Sequence, residues 1–320
     1  MGWWGKPKNC YTRYVSPRSR AYIDLLITSA VWGIAGPVIR YTVGYLPPAV
    51  FLTYRFAISA AVGLVLLSRD RLHLPKSLPD SLRIIVYCLL SSTVSLGLLF
   101  LGYQKTSALT ASVIDAIFPI MVSTVGVAFL HEHVTRREKL GLTVALGGTL
   151  LVIVEPLLTK QSIPTSTLEG NLLILASLVV GVVLSLMAKL IFRNTSVSPS
   201  SVTHLSFIIG FLTMLPLTFL LYSPADLITS VSAAPAGAHL GVLYMALLSG
   251  TLAYTLWHRA QKTIEIGEVS IFTYTYPLFA APLAILWLKE PVTPVFIISA
   301  AVITSGVLLA EVKKATFKRK

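Results

Sequence analysis

Two charged side chains stand inside long apolar segments of this chain, and they are the residues best able to do chemistry. Asp115 is the only charged residue between Lys105 and Glu132, and Arg55 stands alone in its own apolar segment. A lone charge in a membrane helix costs at least ~2.5 kcal/mol, so it normally faces a cavity or a partner. Their depths match, at roughly 13 Å and 12 Å from the same membrane face. We expect both to line an internal site, paired either as a structural clasp or as a proton-exchanging switch.

The helices that position these charges follow from composition. The chain has 320 residues, of which 55% are hydrophobic and only 12% charged, and its mean hydropathy is +0.77. A soluble protein of this size could not hide so much apolar surface, so lipid must be the solvent. Long continuous apolar runs exclude a membrane β-barrel. We predict an all-α integral membrane protein with ten transmembrane helices at 21–43, 46–68, 82–103, 107–130, 138–158, 168–192, 200–222, 236–259, 267–288 and 292–312.

One sequence pattern occurs twice. Gln104–Glu155 and Gln261–Glu311 each contain Gln-Lys-Thr, an apolar helix with a proline, Glu-x-Val-Thr, and an apolar helix with a glycine. About five spans fall in each copy, and an odd number inverts the second copy in the bilayer. Inverted repeats are typical of secondary transporters. We therefore predict repeats at 21–158 and 168–312, flanked by basic tails at 1–20 and 313–320.

The basic residues orient the chain. With the N-terminus in the cytosol, most Lys and Arg residues fall on the cytosolic side, as the positive-inside rule requires. The repeated loop keeps its Glu-x-Val-Thr core in both copies, but only the copy predicted to be inside carries Arg136 and Arg137. The net charge of +13 is thus explained without nucleic acid, for which no basic folded domain exists. Both termini are expected in the cytosol, with the protein in the cytoplasmic membrane.

The chain resembles the drug/metabolite transporter superfamily, and specifically its EamA-type members with ten helices. The resemblance spans about 21–311, and each motif is weak alone, whereas their order and duplication are fairly specific. It implies a 5+5 inverted repeat, a central cavity, and export or exchange of small metabolites such as amino acids. An arginine at the position of Arg55 is frequent in that family, which favours the structural role. The matching residues are Trp32-Gly33, Tyr54-Arg55-Phe56, Pro119, Glu132-x-Val134-Thr135, Gly147-Gly148, Pro277, Glu290-x-Val292-Thr293 and Gly306.

Further candidates follow from helical spacing. Residues at i, i+3, i+4 and i+7 share one face of a helix. Ser112 thus joins Asp115 and Pro119, and the repeat supplies an equivalent stripe. Two matched polar stripes predict a shared cavity, although hydrogen bonds that serve only helix packing would produce the same pattern. The stripe in the second copy consists of Ser270, Thr273, Tyr274 and Pro277.

Aromatic and polar residues near helix breaks form a second tier of candidates. They could contact a substrate, but Trp and Tyr are also enriched at bilayer interfaces as anchors. Proline residues are candidate hinges because membrane helices tolerate such breaks. The second-tier residues are Trp32, Tyr103, Gln104, Tyr254 and His258, and the candidate hinges are Pro37, Pro119 and Pro277.

Several sites are not supported by the sequence. His131-Glu132-His133 lacks the H-E-x-x-H spacing of a zinc site, and no G-x-x-x-x-G-K-[ST] phosphate loop occurs. We therefore expect no metal, no cofactor and no enzymatic activity. Small residues at Gly141 and Ala145 permit close helix contacts, within a monomer or in a homodimer. We predict that the protein is a secondary transporter for a small metabolite, and proton coupling is one option for its energy source. The alternative is a channel or a non-transporting membrane subunit.

Overall fold

A computed structural model describes residues 16–69, 75, 77–130, 136–158 and 166–311, and within these ranges it is helical and contains no β-strand. Eight of the described helices are long and apolar enough to cross a membrane. Two further apolar helical stretches, Thr143–Leu158 and Pro294–Leu309, are shorter. These ten correspond in order to the ten predicted segments.

The described residues of the first half form six helices. They are α1 (Pro17–Thr42), α2 (Pro48–Arg69), α3 (Leu78–Lys105), α4 (Ala108–Asp115), α5 (Phe118–Leu130) and α6 (Arg136–Leu158). Several begin where the sequence supplies a cap. Ser16 precedes Pro17 and accepts a hydrogen bond from the Ser19 N–H, and Ser107 accepts one from the Thr110 N–H.

The second half repeats this order with one addition. Its helices are α7 (Leu168–Asn194), α8 (Pro199–Leu221), α9 (Pro224–Ala233), α10 (Ala236–Thr263), α11 (Ile266–Ser270), a 3₁₀ segment (Ile271–Thr275), α12 (Tyr276–Leu286) and α13 (Pro294–Glu311). The stretch between the predicted helices 200–222 and 236–259 contains the short helix α9. A capping box between Ser223 and Asp226 starts this helix.

The predicted helices at 107–130 and 267–288 are both interrupted just before their prolines. Proline has no N–H to donate to the carbonyl four residues earlier. That carbonyl belongs to Asp115 for Pro119 and to Thr273 for Pro277. The first helix stops at Asp115, and in the second the Tyr276 N–H bonds the Thr273 carbonyl across a 3₁₀ turn. By contrast, α1 continues through Pro37.

The third long apolar helix of each half, α3 in the first and α10 in the second, contains a π-helical segment. These segments are Leu90–Ser95 in α3 and Tyr244–Ala253 in α10. A π segment widens the helix and occurs often at functional sites. Backbone carbonyls of the α10 segment accept hydrogen bonds from neighbouring helices, including one from the Trp32 indole to Ser249 at 3.0 Å and one from Ser59 to Ala246 at 3.1 Å.

Helices of the first half pack on helices of the second in a paired pattern. The contacts join α2 to α8, α6 to α13, α3 to α7, α1 to α10, α4 to α7 and α1 to α12. Repeat-related glycines make the α6–α13 crossing. A Cβ on Gly148 would lie 2.8 Å from Ile303, and one on Gly306 would lie 2.6 Å from the Ala145 backbone. The small residues predicted to allow close contact thus serve a contact within one chain.

The outer surface of the bundle is apolar. Large side chains such as Leu64, Leu172, Leu220 and Leu240 are exposed, with Leu220 reaching 83%. Fully buried aromatic residues, including Phe51, Phe56, Phe100 and Phe207, lie inside. Lipid is the solvent that accepts such an exterior. The polar side chains of the interior therefore mark the places where function is to be sought.

Candidate substrate-binding site

A cavity of about 200 Å³ lies between the two halves of the bundle. Both halves contribute to it, through α1, α2, α3 and α4 on one side and α7, α10, the 3₁₀ segment and α12 on the other. The interrupted helices and the π segments all reach it. Irregular backbone at membrane depth is tolerated where it lines a cavity, which fits this arrangement.

Aromatic rings form one wall of the cavity. The Trp32 ring lies 4.8 Å from that of Tyr254, 5.1 Å from that of Trp257 and 6.3 Å from that of Tyr276. The indole N–H of Trp32 is already bonded to the Ser249 carbonyl. The rings therefore offer mainly apolar faces and π-electrons to a ligand.

Arg55 lies at the cavity, enclosed by aromatic rings. Its side chain is 0% exposed, and its guanidinium carbon lies 5.6 Å from the Phe100 ring and 5.7 Å from the Phe207 ring. All three guanidinium nitrogens lack a hydrogen-bond partner among the described residues. Cation–π contacts offset part of the cost of burying this charge, but they do not satisfy its five N–H donors.

Asp115 is half-buried at the cavity wall, and Tyr103 and Tyr276 are its electrostatic neighbours. The four ion pairs within 4.0 Å in the described part of the chain do not join it to Arg55. The expected direct pair is therefore absent from this conformation. The physical reason is that Arg55 points into its aromatic cage, whereas Asp115 faces the two tyrosines at the cavity wall.

His258 is buried in the cavity wall rather than placed at a bilayer interface. Its Nε2 lies 2.7 Å from the Tyr87 hydroxyl, and its Nδ1 lies 2.8 Å from the Thr203 hydroxyl. Both ring nitrogens are thus engaged by hydroxyl groups. This chain of hydrogen bonds holds the imidazole in one orientation and links α3, α8 and α10.

Hydroxyl groups that the sequence analysis did not single out line the rest of the cavity. Ser91, Ser177 and Ser185 each donate to a backbone carbonyl of their own helix, at 2.7–3.1 Å. Their hydrogens are engaged, so their lone pairs remain to accept hydrogen bonds from a ligand. The sequence contains a pattern that indicates two of these serines. Ser177, Gly181 and Ser185 stand at i, i+4 and i+8 in an otherwise apolar helix, which places them on one face.

The structure places seven of the eleven predicted site residues at the cavity: Trp32, Arg55, Tyr103, Asp115, Tyr254, His258 and Thr273. The other four lie elsewhere. Ser112 and Ser270 donate to carbonyls within their own helices, Tyr274 packs against the hydrophobic core, and Gln104 is exposed. In the second stripe the α-helix ends at Ser270 and a 3₁₀ segment follows, so α-helical spacing does not carry through to Thr273 and Tyr274.

Charged groups also hold the ends of the bundle. Arg40 donates to the carbonyls of Tyr103 and Gln104, and the Glu290 carboxylate accepts from the N–H groups of Ala108 and Leu109. Burial raises the pKa of Glu290, against the opposing effect of the two N–H donors and of Arg40. At the opposite end, Asp24 pairs with Arg259, and the Arg259 Nε lies 2.6 Å from an Asp24 carboxylate oxygen.

Within the described ranges, no group of three or more His, Cys, Asp or Glu residues is placed to hold a metal ion. The His131-Glu132-His133 sequence lies outside the described residues. The lining polar groups include hydroxyls, one carboxylate, one guanidinium, one imidazole and the Gln261 amide, and they are suited to holding an organic solute by hydrogen bonds and charge.

Comparison with known proteins gives one consistent result. A sequence model of the EamA-like transporter family matches residues 19–154 and again residues 168–311. The "Uncharacterized transporter YetK" of Bacillus subtilis is 26% identical over 94% of this chain and 89% of its own. A "Probable terminal-alkyne amino-acid exporter" of Streptantibioticus cattleyicolor is 25% identical over 91% and 93%. A "Probable amino-acid metabolite efflux pump" of Salmonella typhimurium is 25% identical over 91% and 94%.

A solved crystal structure has the same fold. It superposes with a TM-score of 0.64 at 17% sequence identity and covers 92% of this chain and 98% of its own. The similarity therefore extends over the whole bundle rather than over one helical hairpin.

Proposed function

The chain belongs to the EamA-like transporter family of the drug/metabolite transporter superfamily, and from this we propose that it is a secondary active transporter. It is a multi-pass membrane protein, as its apolar helices and its relatives indicate. In this proposal it exports or exchanges a small organic metabolite, such as an amino acid, across the cytoplasmic membrane. It does so by alternating access, in which the two halves rock about the central cavity.

One observation carries the proposal about the solute. The cavity is lined by an acid and a base that form no ion pair with each other within the described residues. Leaving two opposite charges unpaired in a membrane interior is costly. A solute with both an ammonium and a carboxylate group would compensate both charges. Asp115 would take the ammonium, and Arg55 would take the carboxylate after a small opening of its aromatic cage.

The remaining lining supports the same class of solute. Serine and threonine lone pairs are available to accept hydrogen bonds from an ammonium group. The Trp32, Tyr254 and Trp257 rings offer an apolar wall for the rest of the molecule. Two of the relatives described above are named as transporters of amino acids or their metabolites, which agrees with a zwitterion but does not identify it.

We also propose the ten-helix inverted repeat, with units at 21–158 and 168–312 and cytosolic tails at 1–20 and 313–320. In this arrangement α6 and α13 are the fifth and tenth spans. Three features support it: the family sequence model matches twice, the two halves break before matched prolines, and each half has a π segment in its third long apolar helix. A repeat-related pair of helices in contact, such as α2 with α8, is what a two-fold axis in the membrane plane would produce.

Proton coupling at Asp115 completes the proposal. A carboxyl group beside a cavity can take up a proton when the solute leaves and release it when the solute returns. No second charge neutralises Asp115 within the described part of the chain, so its protonation state can follow occupancy. Monomer and homodimer are both compatible with this mechanism.

The test is transport by the purified protein in proteoliposomes, with and without a pH gradient. The panel should contain labelled apolar amino acids, and for each a methyl ester without the carboxylate and a keto acid without the ammonium group. We expect saturable uptake and counterflow of the amino acid, and at least about tenfold less of either analogue. Voltage-dependent conductance without counterflow would indicate a channel, and absence of both would indicate a non-transporting subunit.

A further inference from the structure

The Glu-x-Val-Thr motif of the second half has a place in the structure that its sequence did not explain. Glu290 belongs to the loop between α12 and α13, yet its carboxylate caps α4 of the first half. One oxygen accepts from the Ala108 N–H at 2.8 Å, and the other accepts from the Leu109 N–H at 2.9 Å. The residue is only 6% exposed. A carboxylate at a helix N-terminus is favoured by the free N–H groups and the helix dipole.

The turn that Glu290 caps is held on its other side as well. Arg40 of α1 donates to the carbonyls of Tyr103 at 3.1 Å and Gln104 at 3.0 Å, where α3 ends. The α3–α4 turn is therefore held by a cation on its carbonyls and by an anion on its N–H groups. The cation comes from the same half of the chain, and the anion comes from the other half.

The opposite end of the bundle contains a related contact. There Lys189 of α7 donates to the carbonyls of Gln261 at 3.4 Å and Ile264 at 2.8 Å. Gln261 begins the second Gln-Lys-Thr sequence, as Gln104 begins the first. In each half a basic residue near the end of the first long apolar helix thus holds the end of the third long apolar helix, namely α3 or α10. The first copy of Glu-x-Val-Thr, including Glu132, lies outside the described residues.

The capped helix is the one that carries the cavity acid. α4 is only eight residues long and ends at Asp115, and Tyr103 lies one turn before the capped turn. Both residues line the cavity. A movement of the α3–α4 turn would therefore shift the acid and its neighbouring tyrosine together, and it would open or close the cavity at this end.

The loop that presents Glu290 is itself constrained. Lys289 has a φ of 56°, the only positive φ of a non-glycine residue among those described, and lysine rarely adopts this conformation. Thr293 caps α13 by accepting from the Phe296 N–H at 3.0 Å, and its hydroxyl donates to Glu155 of α6. The motif thus joins α4 of one half to the α6–α13 pair.

We infer that Glu290 is a positioning residue that latches this end of the cavity shut, and that its withdrawal from α4 is the step that opens this end. The inference rests on the alternating-access function proposed above. The buried carboxylate is held by two charge-assisted hydrogen bonds, and it would recover hydration on release. This balance allows the contact to be both firm and reversible.

The test measures which face of the membrane reaches the cavity. A reporter cysteine replaces the cavity residue Leu99 in a protein carrying Cys10→Ser and Cys88→Ser. A membrane-impermeant maleimide is then applied to right-side-out and inside-out vesicles. Glu290→Gln keeps the size of the side chain but removes the charge and one acceptor. Glu169→Gln is the matched control, because Glu169 is an exposed carboxylate at the same end and pairs with Lys105.

We expect Glu290→Gln to raise the labelling rate from the outer face by about tenfold and to lower it from the inner face. Glu169→Gln should leave both rates unchanged. If Glu290→Gln does not reach the membrane, Glu290→Asp, which reaches fewer of the N–H groups, should shift the rates in the same direction. A loss of fold alone would not produce this one-sided shift.

Equal labelling of the Glu290 and Glu169 variants from both faces would overturn the latch and leave the transport proposal standing. The parent protein tests that proposal separately. If its labelling from either face is unaffected by every solute of the panel, and no counterflow is seen, alternating access fails, and the latch fails with it.

Discussion

Asp115 and Thr273 occupy matching positions of the duplicated sequence pattern, and both lie at the cavity, but only one is an acid. Each is the residue whose carbonyl loses its usual N–H partner to a proline four positions later. The repeat therefore brings the same two backbone positions to the cavity and leaves the side chains free to differ. Because one position is ionisable and the other is not, the difference between them gives this cavity its one carboxylate.

Replacing Asp115 by Asn tests its proposed role in proton coupling. Asn keeps the size of the side chain but cannot exchange a proton, so we expect uptake driven by a pH gradient to fall roughly tenfold or more. Counterflow of solute without a gradient should persist, although with weaker binding. The measurement is transport in proteoliposomes at several pH values. Asp80→Asn, at a surface carboxylate paired with Arg83, is the control. Unchanged pH dependence in Asp115→Asn would exclude proton coupling at this site.

At the scale of helices, the crossing of α6 and α13 depends on the absence of side-chain atoms. Gly148 faces Ile303 and the Ser299 carbonyl. A Cβ on the preceding Gly147, by contrast, would have no neighbouring atom within 4 Å. Small residues let membrane helices approach closely and gain van der Waals contact. Because Ser299 contributes a backbone atom, the neighbour cannot move aside by a simple change of rotamer.

Gly148→Ala and Gly147→Ala form a matched pair that tests this crossing. Gly148→Ala forces the two helices apart, and we expect it to destabilise the protein by about 1–3 kcal/mol. Gly147→Ala should be neutral or slightly stabilising, since alanine favours a helix more than glycine does. Thermal unfolding in detergent would show a lower Tm for Gly148→Ala only. Equal Tm values would mean that the crossing in the membrane is looser than described.

At the scale of the whole molecule, charge and packing give independent information about orientation. The exterior of the bundle is apolar, and that property alone does not distinguish one face of the membrane from the other. The distribution of Lys and Arg does so, because the positive-inside rule concerns the loops and tails. The proposed outer position of Glu290 therefore depends on sequence charge, whereas its contact with α4 depends on tertiary structure.

Thiol labelling checks the orientation directly. Cys10 in the N-terminal tail and a cysteine introduced by Lys320→Cys should react with an impermeant maleimide in inside-out vesicles only. Ser232→Cys, at an exposed position in α9, should react in right-side-out vesicles only. Cys10 is measured in a Cys88→Ser protein, and each introduced cysteine is measured in a protein that carries both Cys10→Ser and Cys88→Ser. Reaction of Cys10 and the Ser232→Cys thiol from the same face would contradict the proposed topology, and reaction of the Ser232→Cys thiol from the inner face would reverse the assignment of the Glu290 end.

The sequence alone determined the class of protein, the order of the spans and the family. These depend on local quantities, namely the length of apolar runs, the duplicated motifs and the charges of the loops. Asp115 and Arg55 could be singled out for the same reason, because the cost of a charge in an apolar segment does not depend on its neighbours. The prolines indicated that the predicted helices 107–130 and 267–288 could be interrupted. They did not indicate which residues would face inward beside each interruption.

Tertiary structure alone decided which polar groups meet. Arg55 contacts the ring of Phe100 rather than Asp115. Both nitrogens of His258 bond to hydroxyl groups, and the Glu290 carboxylate bonds to the N-terminus of α4. Each of these contacts joins residues that are far apart in the chain. Tyr274 does not reach the cavity because it lies in the 3₁₀ segment, where α-helical spacing no longer decides which residues face inward. Contacts of this kind depend on how helices of one half cross those of the other, and hydrophobic periodicity carries no information about the partner that a polar side chain will find.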